Sequence, residues 1–114
     1  MIAVIFEVAP HSALASRYFE LAETLKPSLM KVDGFIAIER FESLSRPGHY
    51  LSLSFWRDEA AIQQWRRQHD HRQAQAEGRA EIFADYRLRV AHVIRDYGLK
   101  DRTQAPEEPP DALG

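Results

Sequence analysis

FWRDEAAIQQWRRQHDHRQAQAEGR, from Phe55 to Arg79, carries both tryptophans and two of the five histidines of the chain in one block with helical spacing. Whether Trp65 is core or the wall of a ligand pocket depends on the face it takes. Asp58 is a good N-cap for this helix, and Glu59 sits in its first turn, at the positive end of the helix dipole. Ile62 and Trp65 then point inward together. The helix is expected to jog near His69–Asp70 and to run on to about Ala84. Just before it, YLSLSFW (50–56) alternates apolar and polar residues, the period of a strand. Trp56 at the end of that strand is expected to pack at the sheet edge.

Working outward, IAVIFEVA (2–9) reads as a first strand ended by Pro10, and a helix follows from Ser12 with Leu14, Tyr18, Leu21, Leu25 and Leu29 three or four apart. Pro27 should kink or break this helix. Gly34 is its expected left-handed cap. FIAIERFES (35–43) is a second strand that forms a hairpin with the third across the SRPGH turn. DYRLRVAHVIRDY (85–97) is the fourth. The order β-α-β-β-α-β predicts an α+β, ferredoxin-like fold with a four-stranded antiparallel sheet and both helices on one face. Residues 1–98 form this domain. Residues 99–114, rich in proline and acid, read as a flexible or partner-docking tail.

The first strand is apolar on both sides, with Ile2, Val4, Phe6 and Val8 on one and Ala3, Ile5 and Ala9 on the other. The fourth has Leu88, Val90 and Ile94 on one side and Ala91 and Val93 on the other. Helices cover one face only, so a second copy packed sheet against sheet is the expected cover, giving a homodimer.

Composition narrows the function. A net charge of −2 offers no field for a polyanion, so nucleic acid is not an expected partner. The absence of cysteine removes disulfides, thiolate metal sites and a thiol nucleophile. The N-terminal apolar run is too short for a signal peptide, and no run approaches the ~20 apolar residues of a membrane span. No membrane association and a cytoplasmic location are the resulting expectations. The HDH pair, His69 and His71, diverges on a helix and lacks zinc-helix spacing, so no metal site is expected. What remains is the space between helices and sheet. Trp65, His71, Ala74, Gln75 and Gly78 are expected to face it. Glu7, a carboxylate in an apolar strand, is either functional or paired with Arg40, Arg87 or Arg89.

GFIAIERF, SLSFWRDEAAIQQWR, HRQAQAEGR and DYRLRVAHVIRDYG, in this order behind MIAVIFEV, resemble the antibiotic biosynthesis monooxygenase (ABM) domain family over about residues 1–98. The resemblance implies a dimeric α+β barrel. It implies an oxidoreductase of one of two kinds, a cofactor-independent oxygenase of aromatic substrates or a small heme-degrading monooxygenase. The heme-degrading branch uses an asparagine late in the first strand, a tryptophan on the second helix and a histidine ten residues later as iron ligand. Those positions hold Glu7, Trp65 and Gln75 here, and glutamine is a poor heme ligand. His71, one turn before Gln75, is the substitute ligand if heme binds.

The first expectation is therefore monooxygenation of a small electron-rich aromatic by O₂ without a cofactor. In it Trp65 shapes the pocket, Gln75 donates a hydrogen bond, and Glu7 or His71 is the base. Heme binding through His71 and a non-catalytic dimeric ligand-binding module are the alternatives.

Overall fold

The computed structural model describes residues 1–77 and 81–107, and the side chains of residues 69, 70, 71 and 74 lie outside that description. The elements are β1 (Ile2–Pro10), a 3-10 turn (Ser12–Leu14), α1 (Ala15–Met30), β2 (Phe35–Glu42), β3 (Tyr50–Trp56), α2 (Glu59–Arg67), α3 (His69–Glu77) and β4 (Phe83–His92). All four strands are antiparallel in the order β2-β3-β1-β4, the ferredoxin-like arrangement that the sequence predicts.

Several local expectations need correction. Pro27 lies inside α1, which runs on for three more residues. A proline near a helix end forfeits one backbone bond and leaves the final turn to close after it. Lys31 N–H caps that turn on the carbonyls of Ser28 and Leu29. The helical block after Asp58 divides in two at Gln68, whose ψ of 138° is extended. The jog thus falls one residue before the expected place, and α3 ends at Glu77 rather than near Ala84. β4 stops at His92 because His92 pairs with Ile2, the first residue of β1. Beyond it Val93 N–H bonds back to Met1 O at 3.0 Å. The following residues make their own turn, with Gly98 N–H on Asp101 O at 2.8 Å and Arg102 over the Tyr97 ring.

Two joints fix how the helices enter and leave the sheet. Asp58 caps α2 by accepting from Ala61 N–H at 2.9 Å. Arg57 reaches back to both oxygens of Asp33 at 3.2 Å, and its backbone N–H bonds Gly34 O at 2.7 Å. The α1–β2 turn is thereby tied to the β3–α2 turn. Gly34 has φ +94°, and a Cβ there would lie 2.8 Å from the Ala61 Cβ. At the other end of the helical layer, Arg17 of α1 grips Glu77 of α3 through Nε and Nη2 at 2.7 and 2.9 Å. That guanidinium holds the Glu77 carboxyl below its ordinary range.

Register decides the two faces of the sheet. β1 pairs Val4 with Ser54 and Phe6 with Ser52, and these residues look toward the helices. Leu51, Leu53 and Phe55 therefore look away from them. The buried core falls into two clusters. One joins Ile2, Trp56, Leu29, Ile62 and Trp65, and the other joins Val8, Tyr18 and Ile82. Among the described residues, no helix is long and apolar enough to cross a membrane.

Gly34→Ala combines a left-handed backbone with a steric conflict, so it should lower unfolding free energy by about 1–3 kcal/mol. A urea titration within ~0.5 kcal/mol of wild type would contradict the joint. Glu77→Gln should speed amide exchange across α3 at pH 7. Because the folded Glu77 pKa is depressed, its contribution is present above the ordinary carboxylate value of 4.5 and is lost as pH falls through the lower folded value. The difference between variant and wild type should therefore shrink from pH 7 to pH 3. Equal exchange at both pH values would contradict the coupling.

Candidate functional site

Between the two core clusters, β3 puts two small residues, Ser52 and Ser54, under the helices. A large side chain at either place would join the clusters into one core. Serine leaves a cavity of about 220 Å³. Ser52 and Ser54 form its floor beside Val4 and Phe6 of β1 and Ile38 of β2. Leu21 and Leu25 of α1, Ile62 and Trp65 of α2 and Gln75 of α3 close over it. Leu88 and Val90 of β4 also line it and are 45% and 46% exposed, so the cavity opens on the β4 side.

Among the described lining residues the polar groups are few and almost all can donate. Arg40 enters from β2, where it pairs in register with Ser52. Its Nε is buried without a hydrogen-bond partner. Leaving a charged donor unsatisfied costs about 1–3 kcal/mol or more, so such a group calls for a reason. Tyr18 stands beside it. Burial pushes the Tyr18 phenol up from its ordinary value and the Arg40 guanidinium opposes that shift, with burial the larger effect. The phenol is thus a proton donor at neutral pH. Trp56 Nε1 donates to Ser54 Oγ at 2.9 Å, which leaves the Ser54 hydroxyl proton free to donate elsewhere.

Of the residues expected at the site, Trp65 and Gln75 both line the cavity. Glu7 does not join them. It is odd-numbered on β1, opposite Leu51, and so lies on the outer face, where it pairs with Arg89 at 3.1 Å. Both partners are about half exposed, so the pair is screened and weak. The structure thus separates Glu7 from the pocket and brings it to one of the three arginines that the sequence offers. The His71 side chain and that of Ala74 lie outside the described residues, as does Gly78. Trp56, expected at the sheet edge, is buried at 3% exposure on an interior strand and packs edge to face on Phe35.

Arg40, Tyr18, Ser52 and Ser54 were not singled out as site residues by the sequence. One signal was present: Arg40 stands two residues from Ile38, on the same side of a strand.

Among the described residues no group of three or more His, Cys, Asp or Glu is placed to hold a metal ion. Heme fits the cavity poorly on two counts. The position of the iron ligand holds Gln75, and 220 Å³ is below the ~300–1,000 Å³ of sites that enclose drug-sized ligands. A broader hollow of about 580 Å³ lies on the opposite face of the sheet, between the β2–β3 hairpin and β4. Glu7, Asp85, Arg87 and Arg89 line it with charges of both signs.

The profile of the antibiotic biosynthesis monooxygenase family matches residues 1–77, from β1 to the end of α3. The chain is 48% identical over 93 residues to a jasmonate monooxygenase ABM of Pyricularia oryzae, an alignment covering 82% of this chain and 43% of that protein. It therefore spans less than half the length of that relative. The uncharacterized protein YqjZ of Bacillus subtilis is 30% identical over 86 residues, covering 75% of this chain and 74% of its own. Among solved structures, Rv0793 of Mycobacterium tuberculosis superposes with a TM-score of 0.75 at 16% identity, over 85% of this chain and 98% of that one. That likeness concerns the fold alone. With two thirds of its length matched by the family profile, and with the same fold, this chain belongs to the antibiotic biosynthesis monooxygenase family.

Proposed function

We propose that this protein is a monooxygenase that binds a small, largely apolar organic substrate in the cavity between helices and sheet and oxygenates it with O₂ without a resident cofactor. The observation that carries the reading is the cavity itself, an apolar enclosure whose few polar groups are hydrogen-bond donors. Oxygenation of this kind needs a substrate that gives up a proton and then passes electrons to O₂ itself. Protein groups contribute by excluding water and by stabilising the anion as it forms. Gln75 and the Tyr18 phenol supply the donors, and Trp65 with Phe6 and Phe83 gives a wall suited to a flat ring, in keeping with an electron-rich aromatic substrate.

No carboxylate or imidazole occurs among the described lining residues. In this reading His71 of α3, one turn before Gln75, is the base. Oxygen uptake on adding hydroxyquinone-type substrates, with no flavin, heme or metal supplied, is the direct test. Uptake that requires added hemin would replace this reading with the heme-dependent one.

Both tryptophans are buried in the first core cluster and both line the cavity, Trp56 from the sheet and Trp65 from α2. Trp56→Ala should carry a full core penalty of about 3–5 kcal/mol. Trp65→Ala, which removes the ring that α2 places over the cavity, should weaken ligand binding more than Trp56→Ala does. It should also lose most of the fluorescence quenching that an aromatic ligand produces. Ligand affinity unchanged by Trp65→Ala would remove the pocket wall from the reading.

The site belongs, in this proposal, to a homodimer closed sheet against sheet. Leu51, Leu53 and Phe55 face away from the helices of their own chain, and Phe41 beside them is 44% exposed. Light scattering at micromolar concentration should give twice the chain mass of 13.2 kDa. Leu53→Glu should halve it. A wild-type mass near that of one chain would sink the dimer.

A further inference from the structure

Two arginines, Arg40 of β2 and Arg66 of α2, line the cavity, and the oxygenation described above assigns a role to neither. A guanidinium stays protonated at every pH the protein meets, so the charge is permanent. Carboxylates compensate Arg17, Arg57 and Arg89 among the described residues. Arg40 has no such partner, and its Nε is buried with nothing to donate to. The wall around it contributes donors, namely the Tyr18 phenol, kept protonated by burial, and the hydroxyls of Ser52 and Ser54. A permanent cation ringed by donors, with no described carboxylate in the wall, lacks only an acceptor that carries negative charge.

The shape of the opening narrows the anion. A guanidinium matches the two oxygens of one carboxylate through two parallel N–H donors. Arg66 also lines the cavity, so it is the apolar lining rather than the number of cations that disfavours a strongly hydrated phosphate dianion. The remaining lining is apolar, with Leu21, Leu25, Ile38, Ile62 and Val90 among it. At about 220 Å³ the space equals the volume of roughly seven waters.

We propose that the ligand of this cavity is a small lipophilic carboxylate, its carboxylate held by Arg40 with Tyr18 and Ser52 alongside and its apolar body lying against Trp65. The proposal rests on the reading that this cavity is the substrate site and adds the substrate's charge and the residue that selects it. The Pyricularia oryzae relative is named for jasmonate, a cyclopentanone carboxylate and hence an anion of this class.

The test compares jasmonate with its methyl ester, which keeps the body and removes the charge. Binding is read by quenching of the tryptophans and by calorimetry. Wild type should bind the acid at least about tenfold more tightly than the ester, since only the acid offers Arg40 a charged acceptor. Arg40→Gln should bring the acid down to the ester's affinity and leave the ester within about threefold, because only uniform apolar contacts remain. Arg40→Lys should restore part of the preference through charge without the fork.

Equal binding of acid and ester by wild type overturns the proposal without needing any variant to fold. A preference that survives Arg40→Gln overturns it as well. Failure of both ligands to bind also overturns it, and if hydroxyquinone substrates still drive oxygen uptake the oxygenase reading stands. Acid-selective, Arg40-dependent binding with no oxygen uptake on any substrate upholds the carboxylate site and removes the oxygenase.

Discussion

The register of β3 governs both faces of this protein. Its sequence, Tyr50-Leu-Ser-Leu-Ser-Phe-Trp56, would ordinarily send the leucines to the core and the serines to solvent. Pairing with β1 does the reverse. Ser52 and Ser54 sit under the helices, while Leu51, Leu53 and Phe55 lie on the uncovered face. A one-residue slip would exchange these sets, and the native register is held at its end by Trp56. That ring is buried between Ile2 and Phe35, and its indole N–H donates to Ser54 two residues back along the same strand. Two consequences follow from one alternation. The serines keep the two core clusters apart and so create the cavity, and the leucines create an apolar face that a second copy is suited to cover.

The helical layer keeps that cavity open. α2 is anchored at its start by the Asp58 cap and by the Arg57 links to Asp33 and Gly34. It is anchored through its middle by Ile62 and Trp65 in the first core cluster. α3 has weaker anchorage. It begins at the extended Gln68, and Arg17 grips its last residue, Glu77. Gln75 reaches the cavity from between these two points. The α3 sequence, HDHRQAQAE, carries two alanines as its apolar residues, so little apolar area is available to hold it.

Element order was legible in the sequence because it rests on strong periodic signals. The strands, the two-part helical block and the left-handed Gly34 all declare themselves in runs of several residues. Positions were less legible where neighbours decide them. Pro27 reads as a helix breaker, yet one turn of tertiary-supported helix tolerates it. Glu7 reads as a carboxylate in a buried strand, and its face is fixed only by pairing with β3 and β4, which places it beside Arg89. Trp65 and Gln75 could be placed at the pocket by helical spacing together with the family resemblance. Arg40 could not, because a charged residue near the end of an edge strand is what a solvent-facing position also looks like.

Arg40 runs against the stability of the domain that holds it. A charge taken out of water costs several kcal/mol unless it is paired, while a domain of this size is stable by only about 5–15 kcal/mol. Leucine or methionine in its place would remove that cost. Stability alone therefore favours the substitution that the sequence does not make. A partly buried cation facing an apolar enclosure is stabilised when an anion arrives, so the unfavourable energy of the empty state becomes selectivity in the occupied one. The same reasoning explains the serines of the floor, which forgo core packing to leave room for the body attached to that anion.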